Sequence, residues 1–174
     1  MDSYRTYCYG EKGEISLILL NSPIKNGLFG MVRSPLFSCD IGVHLLQKKQ
    51  EAVDLAGAYV AKNGQLMVCV SPAIYRGSVT PIFLSVLFHE LGHCFYGHVH
   101  RPSESSDERR VGAVENGNVL TAELQADVFA VKYLGKKRVI DGFLGLLRVI
   151  EEEDGQEVSA KELRLRIQAI EGNA

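Results

Sequence analysis

His89, Glu90 and His93 stand in the order H-E-x-x-H. A step of four residues turns an α-helix by about 400°, so both imidazoles fall on one face and can offer nitrogens to one ion. Glu90 is rotated by about 100° from His89, which places it poorly for ligating the same ion but within reach of water beside it, as a general base requires. Imidazole and carboxylate donors together suit zinc and hydrolysis assisted by it. The competing reading is three polar groups hydrogen-bonded inside a buried helix, but their satisfaction among Val86, Leu87, Phe88 and Leu91 would be costly.

A hydrolytic zinc site takes a third protein ligand and keeps one position open. Glu123 is the best candidate downstream. Glu123 and Asp127 share a helix face at a four-residue step, while Ala126 and Ala130 leave room for a neighbouring helix to approach. Asp127 would accept a hydrogen bond from the non-ligating nitrogen of His89 or His93, with His89 favoured, fixing its tautomer. Read alone, this pair is an ordinary solvated acidic face, and the histidine motif is what gives it meaning. On a continued helix His98 lies opposite His89 and His100 too far along the axis, so neither is expected to ligate. Cys69 and Cys94 are weaker candidates still. Tyr75, Tyr96, His100 and Tyr133 can all donate a hydrogen bond to an oxyanion, and the sequence does not choose among them.

The elements that must hold these groups are legible in part. Thr80 as cap and Pro81 in the first turn predict a helix reaching about His98. A second helix is expected from about Leu120 to Leu134, a third from Lys137 to Glu153, and a fourth from the capping box Ser159–Glu162 to Ile170. Residues 101–118 are polar and rich in turn formers, as in an exposed, mobile connection. Upstream, Ile15–Leu20 reads as a buried strand and residues 26–40 as irregular or short-stranded. Asp40 is expected to cap a helix running to Ala56. Residues 58–61 and 65–70 flank Lys62-Asn63-Gly64, whose Asn-Gly pair is a strong hairpin signal.

Composition bounds the function. A chain of 174 residues favours one domain, with a motif-bearing core at about 58–134 and C-terminal helices at about 137–171. With 19 Lys and Arg against 21 Asp and Glu there is no basic surplus for nucleic acid. No apolar run approaches the roughly 20 residues of a membrane helix, and Met1–Arg5 is unlike a basic signal-peptide start, so a cytoplasmic location without membrane contact is expected. Four scattered cysteines predict free, mostly buried thiols. The oligomeric state is not encoded in any visible motif.

Val86–His93 together with Glu123–Ala130 resembles the gluzincin metallopeptidases, and the 30 residues between His93 and Glu123 bring it nearer to the ImmA/IrrE-type peptidases than to the HtpX-like, CAAX-processing ones. Asp127 stands where the former often carry Asn, and the latter's membrane segment is missing. Tyr96 and Val99 replace the Gly and His of the astacin-like continuation. The resemblance implies an α+β minimal zincin, with a small sheet whose edge-strand hairpin packs on the motif helix and a helical C-terminal part. It further implies Zn²⁺ held by His89, His93 and Glu123, Glu90 as base, Asp127 behind the ligands, and a protein or peptide substrate, such as a repressor, pairing near Gln65–Val70. Two other readings are a zinc-stabilised binding protein and a latent peptidase needing a partner.

Overall fold

In Ile15–Leu20 the odd positions Ile15, Leu17 and Leu19 are buried while Ser16, Ile18 and Leu20 are half-buried, the two-residue period of a strand packed on one face. The computed structural model describes residues 4–21, 27–46, 55–99, 118–152 and 157–172. Its strands are β1 (Tyr4–Tyr9), β2 (Ile15–Leu20), β3 (Leu28–Arg33), β4 (Ile41–Leu45), β5 (Ala56–Val60) and β6 (Leu66–Val70). The helices are α1 (Pro81–Tyr96), α2 (Asn118–Leu134), α3 (Lys136–Glu151) and α4 (Glu157–Gly172). The class is α+β: one six-stranded sheet in the order β1-β2-β3-β4-β6-β5, antiparallel except for the β4–β6 pair. No described helix is long and apolar enough to cross a membrane.

The helix expected from Asp40 to Ala56 is not formed. Residues 41–45 are β4 and residues 56–60 are β5, while 47–54 lie outside the described residues. The Asp40 carboxylate accepts a fork from Arg33, with Nη2 at 2.8 Å, instead of capping a helix. β-branched Ile41 and Val43 are fully buried between β3 and β6. The irregular stretch at 26–40 contains β3, whose register shifts between Leu28 and Gly30 opposite β4. The Asn-Gly hairpin forms as expected and packs on α1, but its inner strand β6 is paired on both sides. The open edge next to α1 is therefore β5, not the strand at Gln65–Val70.

Thr80 Oγ1 accepts from the Phe83 amide at 3.1 Å and starts α1. The helix stops at Tyr96, two residues before the expected end, because Gly97 adopts φ 73° and the His98 amide turns back to His93 O at 2.9 Å. Phe83 to Gly92 is buried without interruption, so this stretch of α1 has no solvent face and is enclosed by β5, β6, α2 and α3, while Phe95 and Tyr96 at its end are exposed. α2 runs slightly beyond its expected start. α4 begins at Glu157, so the Ser159–Glu162 box lies inside it rather than opening it.

Candidate metal centre

Two helices converge on one point. His89 and His93 project from the same face of α1, their Nε2 atoms 3.0 Å apart. Glu123 arrives from α2, its Oε2 3.1 Å from His89 Nε2 and its Oε1 3.3 Å from His93 Nε2. One donor atom from each residue lies within 4.8 Å of the others. The shortest donor spacings, 3.0 Å between the imidazoles and 3.1 and 3.3 Å to the two oxygens of Glu123, are near the separation of about 3.3–3.4 Å between donor atoms in a tetrahedral zinc shell with bonds of about 2.0–2.1 Å. The approach is possible because Gly92 faces α2: a Cβ there would stand 2.7 Å from Ala126 Cα.

Behind the donors lies a polar network. His89 Nδ1 donates to Asp127 Oδ1 at 2.8 Å, which leaves Nε2 free to offer its lone pair, as the sequence reading anticipated. His98, set aside on the assumption of a continued helix, is returned by the Gly97 turn and places Nδ1 3.2 Å from His93 Nδ1. It is thus a partner of His93 and stands outside the donor group.

The sequence reading missed Arg166. From α4, its Nε and Nη2 donate to Asp127 Oδ2 and Oδ1 at 2.8 and 2.6 Å, and its Nη1 lies 3.0 Å from Glu123 Oε2. The guanidinium also lies over the Phe143 ring of α3 at 5.0 Å. A signal was present: Ala160, Leu163, Ile167 and Ile170 form the buried stripe of α4, and Arg166 falls within it at helical spacing. A cation on an apolar stripe calls for a buried anion.

The electrostatics follow from burial and close charge. Burial pushes Glu90 above the usual carboxylate range, against the opposing charges of His89 and His93. Burial also acts to raise Glu123, but hydrogen bonds to His89 and His93 and the charge of Arg166 outweigh it and hold Glu123 well below its ordinary value. Asp127 is likewise lowered, with burial overcome first by Arg166 and then by His89. Burial and Arg166 pull His89 down, yet Asp127 and Glu123 carry it up to about 9. With Glu123 and Asp127 held ionised, their charges face those of Arg166 and the protonated His89, and a divalent cation at the donor group would take the place of that proton.

The remaining candidates fall elsewhere. Tyr75 stacks on Phe29 at 4.2 Å and Tyr133 packs against Phe129 at 4.7 Å, while Tyr96 reaches the centre only by stacking on His98 at 5.8 Å. His100 and the 101–117 connection lie outside the described residues. All four cysteines are free, but Cys8 and Cys39 are exposed, contrary to the expectation of mostly buried thiols. Burial pushes the Cys94 thiol up to about 12, and Cys69 lies near Tyr59, so neither joins the donor group. No protein-family model, curated protein or solved structure matches the chain.

Proposed function

We propose that the chain is a zinc-dependent endopeptidase of minimal zincin type, acting on a protein substrate in the cytoplasm. The observation that carries this reading is the convergence of His89, His93 and Glu123 on one point, with a buried Glu90 beside them. When bound there, zinc supplies Lewis acidity, which makes water a nucleophile near neutral pH and polarises a carbonyl. Glu90 takes the proton of the attacking water and passes it to the leaving amine, a task that its burial favours by making it a stronger base. Asp127 fixes the tautomer of His89, and Arg166 holds Asp127 and Glu123 in place. An extended substrate would pair with β5, whose outer side has no strand partner among the described residues. The likeness to ImmA/IrrE-type peptidases suggests a repressor or other regulatory protein as that substrate.

The test is elemental analysis beside hydrolysis of a quenched-fluorescence peptide library. The unaltered chain should carry close to one zinc, Glu123→Ala should lose most of it, and Glu90→Gln should keep zinc while losing cleavage. Failure of the unaltered chain to take up added zinc would sink the proposal. Zinc retained without any hydrolysis, even after addition of cell extract, would favour the zinc-stabilised binding protein.

A further inference from the structure

Away from the metal centre, a cavity of about 770 Å³ opens where β1, β2 and β3 meet the first turns of α1 and α3. Neither the three metal-donor residues nor Glu90 lines it. The volume falls in the range of small-molecule sites, roughly 300–1,000 Å³. Among the described residues, its charged lining is Arg5 and Arg138, one from β1 and one from α3. Neither has a carboxylate partner among the described residues. Two cations facing one cavity repel each other, and an anion between them removes that cost.

Tyr9 makes the sign specific. It is 9% exposed, its ring packs edge-on against Phe88 at 5.0 Å, and it lines the cavity. Its hydroxyl has no hydrogen-bond partner among the described residues and is not one of their fully buried unpartnered atoms, so it opens to the cavity. The charge of Arg138 acts on that phenol, and both residues line the cavity. Across the cavity the charge of Arg5 acts on Tyr75, whose ring is stacked on Phe29 and gives a flat apolar wall. Thr80 and Pro81 at the start of α1 also border the space, adding the positive end of the helix dipole.

We propose that this cavity binds a small organic oxyanion, a carboxylate or phosphate carried on a planar ring, with Arg5 and Arg138 flanking the anionic group and the Tyr9 hydroxyl donating to it. Arginine suits this role because its planar fork matches both oxyanions. The proposal is independent of the peptidase reading, since the two sites share no residue.

The experiment is calorimetric titration of the full chain with phenyl phosphate and with benzoate, against benzyl alcohol as the uncharged ring. At least one of the two anions should bind tenfold or more tighter than benzyl alcohol, and which one does identifies the oxyanion. Arg5→Gln and Arg138→Gln should each weaken that binding about tenfold, and Tyr9→Phe, which keeps the ring in the core, about three- to tenfold. Binding should be unaltered by EDTA, because no metal donor lines the cavity. Equal affinity for benzyl alcohol, no binding of either anion up to about 10 mM, indifference to both arginine changes, or loss of binding in EDTA would overturn it.

Discussion

Replacing Gly92 with alanine sets two forces of known size against each other. Alanine is favoured over glycine inside a helix by about 1 kcal/mol, so on α1 alone the change would stabilise. At this position, however, the new methyl would stand 2.7 Å from Ala126 Cα and 2.8 Å from its carbonyl oxygen, both backbone atoms that no rotamer change can move. Restoring an ordinary separation of about 3.4–3.5 Å requires α1 and α2 to part by about 0.7 Å, the difference from the 2.7 Å contact. Overpacking of this kind typically costs about 1–3 kcal/mol, which outweighs the helix gain. The same displacement carries Glu123 away from His89 and His93, well beyond the roughly 0.2 Å tolerance of a zinc bond. Urea denaturation of the metal-free protein should therefore show a loss of about 0–2 kcal/mol, and a zinc competition assay should show affinity reduced by tenfold or more. A Gly92→Ala protein at least as stable as the parent and equal to it in zinc affinity would refute the claim that this close approach sets the donor spacing.

Three further outcomes can be checked. Arg166→Met should strand the buried Asp127 and cost about 3–5 kcal/mol in denaturant unfolding, whereas Arg166→Lys should recover part of the stability but little of the geometry, leaving zinc affinity about 10–100-fold weaker. Burial raises the Tyr59 phenol to about 12. Because this folded value exceeds the unfolded one near 10, its stabilising contribution is complete below pH 10 and is lost as pH rises towards 12; Tyr59→Phe should flatten that part of the stability curve and remove the last step of the alkaline tyrosine titration. A thiol reagent should modify Cys8 and Cys39 in the native protein and reach Cys94 only after unfolding, so early modification of Cys94 would contradict its burial.

The donor residues were legible because their chemistry is local: a four-residue step on one helix fixes where His89 and His93 point, and another fixes Asp127 relative to Glu123. What local spacing cannot give is a change of direction. His98 was misplaced because the helix was assumed to continue, although Gly97 is the residue type that commonly ends one. Arg166 lies 39 residues beyond Asp127, and only the packing of α4 on α2 connects them. The Asp40 helix failed because Ile41 and Val43 are buried in strand pairing with β3 and β6, while the Asp40 carboxylate is held by Arg33. β1 was overlooked since Tyr4–Tyr9 is largely exposed and has little of the apolar alternation that marks β2.

The absence of a polar face on α1 has a consequence for the order in which the protein can be made. Residues 81–96 leave the ribosome before any of the three later helices, so Phe83 and Phe88 meet water or the strands already made, where Phe29 and Tyr9 are their eventual neighbours. The sheet can cover only one side. The segment that carries both histidines accordingly keeps uncovered apolar surface until α2 and α3, which bury its other side, have been synthesised.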